Sequence, residues 1–245
     1  MRFTDKVVFV TGASSGIGKA CGLRFQEEGA SVFGVARREE RLAESFEHYA
    51  VCDVRDDDQV RAAVDACVGA FEGIDFLINA AGVIGTGGVL DTPPEEWERI
   101  YSSNVDSVYF VTRHVAPHLI RNGGAIVNIS SVTSLRPYGV LMPYCSSKAA
   151  VDMMTQCMAL ELAPHNVRVN AVNPGVVVTE LHTASDAVAD YDAFLEHSKE
   201  THPLGRVGQP EEIAALCAFL CSDEATWITG GIYSIDGGRQ LMSAR

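Results

Sequence analysis

The stretch Thr11-Gly12-Ala13-Ser14-Ser15-Gly16-Ile17-Gly18 decides how this sequence folds, because it joins an apolar run to the start of a helical pattern. Its glycines follow the order G-x-x-x-G-x-G. Glycines let backbone amides approach a phosphate closely, and a helix that begins there adds partial positive charge. The alternative is a tight strand-to-helix turn that binds nothing. We expect a dinucleotide pyrophosphate to bind here, on Gly12, Ser14, Ser15, Gly16, Ile17 and Gly18.

A strand-then-helix pattern recurs along the whole chain. Short apolar runs alternate with segments of helical spacing, and this alternation predicts βαβ units around a parallel sheet. The runs are almost continuously apolar, which indicates strands covered by helices on both faces. We predict one α/β domain over residues 1–245, a doubly wound, seven-stranded parallel sheet. Its predicted strands are Val7–Thr11, Ser31–Val35, Tyr49–Val54, Phe76–Ala80, Ala125–Ser130, Arg168–Asn173 and Ile232–Asp236.

Composition argues against several classes of function. The 245 residues carry a formal net charge of −13, whereas binding to a phosphate backbone normally needs a basic face. We therefore expect no nucleic-acid partner. No apolar run approaches the length of a signal peptide core or a membrane span, so we expect a cytoplasmic protein without a membrane partner. The seven cysteines form no C-x-x-C pair, and we predict no metal site.

The residues after the second predicted strand indicate which dinucleotide binds. A protein that binds NAD commonly places an acidic residue here, on the ribose 2′-hydroxyl. This chain has Arg37 and Arg38 instead, and arginine can hold the 2′-phosphate of NADP. The alternative is that Arg38 and Arg41 pair with glutamates of the next helix. We predict NADP as the cofactor, with NAD as the alternative.

Two further strand ends offer surfaces for the nucleotide. Asp53, followed by Val54, could accept a hydrogen bond from the adenine amino group, or could instead cap the helix that follows. The turn after the fourth strand is small enough for a nucleotide to lie against it. The residues predicted to contact the cofactor there are Asn79, Ala80 and Gly82.

A second cluster suggests proton transfer. Tyr144 and Lys148 are four residues apart, so on a helix they share one face, and Ser131 follows the fifth predicted strand. Reducing a carbonyl by hydride requires a proton for the oxygen. A free phenol has a pKa of about 10, and a nearby ammonium is expected to lower that pKa. The alternative for the pair is an ordinary helix face.

These motifs together resemble the short-chain dehydrogenase/reductase family along nearly the whole chain. The resemblance implies a Rossmann-type fold and commonly a homotetramer, with a homodimer as the alternative. The matching elements, in order, are Thr11–Gly18, Asp53, Asn79–Gly82, Asn104, Ser131, Tyr144, Lys148 and the segment Pro174-Gly175-Val176-Val177-Val178-Thr179.

The resemblance also implies roles for residues. Tyr144 would be the general acid and base, Ser131 would orient the substrate, and Lys148 would also bind the nicotinamide ribose. Asn104 would hold a water that links Lys148 to solvent. The segment after the sixth strand would fix the nicotinamide carboxamide, and its cofactor-binding residues would be Pro174, Gly175, Val177 and Thr179.

We therefore expect an NADP(H)-dependent oxidoreductase, a carbonyl reductase or alcohol dehydrogenase, that interconverts a small ketone or aldehyde and an alcohol. Residues of about 180–203 are expected to form a substrate lid. One alternative is a 3-oxoacyl-(acyl-carrier-protein) reductase, although the net charge of −13 weighs against strong steering of an acidic carrier. A basic patch for it would come from Arg113, Arg121, Arg136 and Arg168. A non-catalytic NADP-binding sensor is disfavoured, because the acid–base residues are all present.

Overall fold

A parallel sheet runs through the protein, whose computed structural model describes residues 1–183, 188 and 190–242. Within these residues the sheet has seven strands in the order β3-β2-β1-β4-β5-β6-β7. The doubly wound sheet predicted from the sequence is therefore confirmed. The strands are β1 Val7–Thr11, β2 Ser31–Ala36, β3 His48–Val51, β4 Phe76–Asn79, β5 Gly124–Ile129, β6 Val167–Pro174 and β7 Ile232–Ile235.

Helices cover both faces of the sheet. Side chains alternate along a strand, so in β1 Val8 and Val10 pack on one face while Val7 and Phe9 pack on the other. The helices are α1 Gly16–Glu27, α2 Glu39–Ala43, α3 Asp57–Phe71, α4 Pro94–Tyr101, α5 Ser107–Asn122, α6 Met142–Leu162, α7 Tyr191–Glu200 and α8 Pro210–Cys221. Helices α1 and α8 cover the first face, and α3, α5 and the end of α6 cover the second. Of the helices that the described residues form, none has the length and apolar content that crossing a bilayer requires.

The third strand differs from its prediction. The expected strand Tyr49–Val54 is observed as His48–Val51, whereas the other six strands match within one residue at each end. The chain turns early because the Arg55 amide donates to the Asp53 carboxylate at 3.1 Å and the Asp56 amide donates to the Asp53 carbonyl at 3.0 Å. These local bonds replace the continuation of the strand.

The order of the strands sets the position of a crevice. The chain builds β1, β2 and β3 outward in one direction and then returns to place β4 on the other side of β1. Thr11, the last residue of β1, pairs in register with Val35 of β2 and with Asn79 of β4. Connections leave in opposite directions at this point, so a crevice opens at the carboxyl ends of β1 and β4.

Glycine is required in the turn that follows β1. Gly12 has a φ of +67°, and a Cβ on it would lie 2.9 Å from the backbone of Ala80. A Cβ on Gly18 would lie 2.4 Å from the carbonyl oxygen of Gly12. Only because these positions have no side chain can the turn lie directly against the chain after β4 and the start of α1 lie directly against the turn.

We expect Gly18→Ala to lower the free energy of unfolding by about 1–3 kcal/mol, since the added methyl collides with fixed backbone. Gly69→Ala is the matched control: it lies inside α3 with nothing within 4 Å of the added Cβ. There the same substitution is expected to stabilise the protein by about 0.5–1 kcal/mol. Denaturant unfolding of both variants without ligands measures the difference. Equal effects at the two positions would contradict the close approach described for Gly18.

Candidate functional site

A cleft of about 410 Å³ opens at the carboxyl edge of the sheet, where the strand order reverses. It gathers residues that are far apart in the sequence. Of the predicted site residues, Asn79 and Asn104 lie outside its lining. The predicted residues that do line it are Gly12, Ser14, Ser15, Gly16, Ile17, Gly18, Arg37, Arg38, Asp53, Val54, Ala80, Gly82, Ser131, Tyr144, Lys148, Pro174, Gly175, Val177 and Thr179.

The start of α1 is suited to bind an anion. Ser15 is the N-cap residue, and its side chain makes no capping hydrogen bond to the described residues of the first turn. The amides of that turn are therefore left for another acceptor. Gly16 has a φ of +54°, and a Cβ on it would lie 3.1 Å from Cγ2 of Thr179. Glycine thus keeps the space between the two sides of the cleft open, and the turn fits the pyrophosphate of a dinucleotide.

The arginines after β2 have a partner that the sequence did not indicate. Arg38 donates to the Ser14 hydroxyl at 3.1 Å, to the Ser15 hydroxyl at 2.5 Å and to the Glu180 carboxylate at 2.8 Å. Arg41 donates to both Glu180 oxygens at 2.7 Å. The alternative in which Arg38 and Arg41 pair with glutamates of α2 is therefore wrong. The two guanidinium groups hold the pKa of Glu180 below its usual value.

Asp53 lines the cleft but is already engaged. Arg55 donates to its carboxylate, with Nη2 and Oδ2 2.6 Å apart, and these hydrogen bonds lower the pKa of Asp53. The helix-cap alternative for Asp53 is wrong, because Asp56 accepts from the amides of Asp58 and Gln59 at the start of α3. An adenine ring bound at this end of the cleft would meet a carboxylate that is already paired with Arg55.

Asn79 points away from the cleft. Its amide nitrogen donates to Oδ1 of Asn128 at 2.9 Å and to the Thr112 hydroxyl at 3.2 Å. The side chain therefore ties β4 to β5 and α5 inside the protein. The part of the Asn79–Gly82 turn that faces the cleft begins at Ala80.

Asn104 supports the wall of the cleft from behind. It lies in a π-helical turn, Ser102–Asp106, between α4 and α5. Its Oδ1 accepts from the Val83 amide at 2.8 Å, while Nδ2 donates to the Val83 carbonyl and the Ser147 hydroxyl, both at 3.0 Å. A Cβ on Gly82 would lie 3.1 Å from Oδ1 of Asn104 and 3.5 Å from Nζ of Lys148. Asn104 therefore positions the chain that lies against Lys148.

Tyr144, Lys148 and Ser131 lie together at the other end of the cleft. Tyr144 and Lys148 share one face of α6, with Nζ of Lys148 5.9 Å from the centre of the Tyr144 ring. That nitrogen donates to the carbonyl of Ile129 at 2.9 Å. Ser131 lies close enough to the Tyr144 side chain to affect its pKa, and its hydroxyl accepts from the Thr133 amide at 3.2 Å. All three side chains of the group are buried.

Burial controls the proton affinities of this group. It raises the pKa of Tyr144 to about 12, and the Ser131 hydrogen bond opposes it only in part. Burial also lowers the pKa of Lys148 to about 8, opposed by the charge of Asp152. The expected lowering of the phenol pKa by the lysine is not seen in this structure, where burial raises that pKa. The phenol holds its proton at neutral pH and can donate it.

Sequence reasoning missed several lining residues. Arg55 could have been noticed, since it follows Asp53 at a strand end that was already a candidate. Arg99 lies on α4, where its guanidinium donates to the Ile84 carbonyl at 3.1 Å, and no motif marks it. His182 was considered only as part of the lid, yet it lines the cleft, and burial lowers its pKa to about 4. No group of three His, Cys, Asp or Glu side chains within the described ranges could hold a metal ion.

Known proteins match the chain over nearly its full length. The sequence profile of a family described as enoyl-(acyl carrier protein) reductase matches residues 12–240. The 3-oxoacyl-(acyl-carrier-protein) reductase FabG of Thermotoga maritima is 37% identical, over 97% of this chain and 99% of the relative. A short-chain type dehydrogenase/reductase from Mycobacterium marinum has a TM-score of 0.88 at 37% identity, covering 97% and 96% of the two chains. L-sorbose reductase from Gluconobacter frateurii, solved with NADPH and L-sorbose, has a TM-score of 0.90 at 31% identity, covering 99% and 100%.

The lowered pKa of Lys148 predicts a pH-dependent stability. The folded protein releases this proton near pH 8, whereas the unfolded chain holds it to about 10.5. Between these values the unfolded state binds more protons, so the stability of the wild type rises with pH relative to Lys148→Met, by up to about 3 kcal/mol. Below pH 8 the difference stays constant.

Denaturant unfolding of the protein without ligands, between pH 7 and pH 10.5, measures this difference. Lys199→Met removes an exposed lysine and provides the control. A stability difference between wild type and Lys148→Met that is the same across the whole range would contradict the burial of a charged lysine.

Proposed function

The chain belongs to the short-chain dehydrogenase/reductase family of NAD(P)-dependent oxidoreductases, and from this premise we propose that it interconverts a ketone or aldehyde and an alcohol with NADP(H). The family acts on small-molecule substrates. The observation that carries the proposal is the gathering of Ser131, Tyr144 and Lys148 in the same cleft as the uncapped start of α1. A proton donor and a dinucleotide cradle are what carbonyl reduction requires.

The residues of the cleft fit a dinucleotide cofactor, which supplies the hydride when bound. The amides at the start of α1 would hold the pyrophosphate, and Asp53 would face the adenine. Arg37 is exposed at the cleft, and the two residues directly after β2 are arginines rather than an acidic residue for a ribose hydroxyl. These features support NADP over NAD. The segment Pro174–Thr179 would lie against the nicotinamide.

Tyr144 is proposed to donate the proton to the carbonyl oxygen. Its raised pKa keeps the phenol protonated at neutral pH, which suits the reductive direction. Ser131 lies beside the phenol, and we propose that its hydroxyl donates its one proton in a hydrogen bond to the substrate oxygen. Lys148, with a pKa of about 8, contributes an ammonium beside the phenol at neutral pH and can bind the nicotinamide ribose.

Reduction of 3-oxoacyl thioesters on an acyl carrier protein is the second candidate, favoured by the similarity to the Thermotoga maritima enzyme. The structure weakens its electrostatic basis. Arg168 was expected to be available to an acidic carrier, but it is half-buried and donates to backbone carbonyls. Arg113 pairs with Asp57 at 3.2 Å. A panel of ketones, aldehydes and 3-oxoacyl thioesters separates the candidates, since activity on thioesters alone would favour the second.

A substrate lid over about residues 180–203 remains part of the proposal. Residues 184–187 and 189 of this predicted lid lie outside the described residues. The Tyr191 hydroxyl, at the start of α7, donates to the Thr179 carbonyl at 2.8 Å and accepts from its amide at 3.1 Å. This contact supports the lid, because it ties α7 to a residue that lines the cleft.

We also propose that the protein is cytoplasmic and forms a homotetramer or homodimer. Large apolar side chains stand at the surface, with Trp227 98% exposed and Leu160 81% exposed. Tryptophan is enriched at protein–protein contacts, so the exposure of Trp227 supports self-association.

Tyr144→Phe is expected to retain binding of NADPH and to reduce kcat for carbonyl reduction by at least about 100-fold, because the proton donor is lost. Fluorescence titration measures the binding, and steady-state assays measure the turnover. Tyr109→Phe removes the hydroxyl of a half-exposed tyrosine on α5 and serves as the control. Turnover of Tyr144→Phe at the wild-type rate would overturn the mechanism, because Tyr144 would then take no part in the reaction.

Arg37→Gln is expected to weaken NADPH binding about tenfold and to change NADH binding by less than about twofold, since only NADPH carries the 2′-phosphate. Arg61→Gln, on the outer face of α3, removes the same charge away from the cleft. Dissociation constants for both cofactors measure the effect. Tighter binding of NADH than of NADPH by the wild type would rule out the preference for NADP.

A further inference from the structure

The Glu180 carboxylate occupies an anion site at the mouth of the cleft. It lies between two guanidinium groups, 2.8 Å from Arg38 and 2.7 Å from Arg41. Arg38 in turn donates to the hydroxyls of Ser14 and Ser15, on the turn that precedes α1. The donors are therefore already oriented toward negative charge, and a residue of this chain now supplies that charge.

The backbone next to Glu180 is fixed by hydrogen bonds. It directly follows Thr179, whose amide and carbonyl are both bonded to the Tyr191 hydroxyl. Its carboxylate reaches from the segment after β6 across to the residues after β2. Arg38 belongs to the pair of arginines proposed to receive the 2′-phosphate of NADP. A phosphate that approaches Arg38 must share the guanidinium with Glu180 or displace it.

The strength of the ion pair makes displacement feasible. The side chains of Arg38 and Glu180 are 44% and 47% exposed, and ion pairs at such positions contribute little to stability. A phosphate carries close to two negative charges at neutral pH and accepts hydrogen bonds on several oxygens, so it binds guanidinium more strongly than one carboxylate does. NADH has no 2′-phosphate and can bind while Glu180 keeps its partners.

From these contacts we infer that Glu180 is a specificity-determining residue, which competes with the 2′-phosphate for Arg38 and reduces the preference for NADPH over NADH. The inference rests on the proposed function, because it assumes that both dinucleotides bind in this cleft. Glu180 thereby keeps NADH usable in a protein that has arginines where NAD-binding relatives would need an acid.

The test measures dissociation constants of NADPH and NADH for the wild type, Glu180→Gln and Glu180→Ala. Loss of the carboxylate is expected to tighten NADPH binding about three- to tenfold and to leave NADH within about twofold. Raising the salt concentration should shrink the gain, because the competing charges are partly exposed. Thermal unfolding without cofactor confirms that each variant is folded.

Glu211→Gln is the matched control, since it removes the same charge from the surface depression that Glu180 also lines. Glu211 makes no ion pair with any residue of the described ranges. An equal gain in NADPH affinity for this variant would overturn the inference, because the effect would then be one of net charge. An unchanged ratio of the two dissociation constants in Glu180→Gln would overturn it as well.

Weaker binding of both cofactors by Glu180→Gln would also overturn the inference, since it would make Glu180 a part of the binding surface rather than a competitor. These results leave the proposed function intact, because each still requires both cofactors to bind. If the wild type bound neither cofactor, the proposed function itself would fail and the inference would fall with it.

Discussion

The contact between two backbone segments, one after β1 and one after β4, is the constraint on which the site depends. Gly12 lies against Ala80 with no room for a side chain, and Gly18 lies as closely against Gly12. This approach brings the start of α1 down to the level of the strand ends, so that its free amides face the cleft. Side chains on the glycines would push the helix away from the sheet, and the start of α1 would separate from Tyr144.

Burial then sets the chemistry that the cleft can perform. Tyr144 and Lys148 are removed from water together, and the same desolvation shifts their pKa values in opposite directions, upward for the phenol and downward for the ammonium. Both shifts favour uncharged side chains. Because burial favours the uncharged form of each side chain, the phenol keeps its proton and can donate it. A positive charge brought into the cleft would shift the protonation equilibrium of Tyr144 toward the phenolate.

The sequence was informative where local pattern decides the structure. The apolar runs located the strands, and the glycine spacing located the turn after β1, because both depend on neighbouring residues. It failed where partners come from distant segments. The bonds of Arg38 to Glu180, 142 residues away, and of Asn79 to Asn128 leave no trace in local periodicity. The pKa of Tyr144 was misjudged for a related reason, since burial is a property of the whole fold.

Thr179 and Glu180 connect parts of the cleft that are far apart in the sequence. The methyl group of Thr179 lies against Gly16, its backbone is bonded to Tyr191 of α7, and the adjacent Glu180 reaches Arg38. The turn proposed to hold the pyrophosphate, the arginine proposed to lie near the ribose and the helix expected to cover the substrate therefore meet within two residues. A cofactor that displaces Glu180 must act on the segment that leads to α7. The proposed discrimination between cofactors and the proposed covering of the substrate would therefore be physically coupled through one short piece of chain.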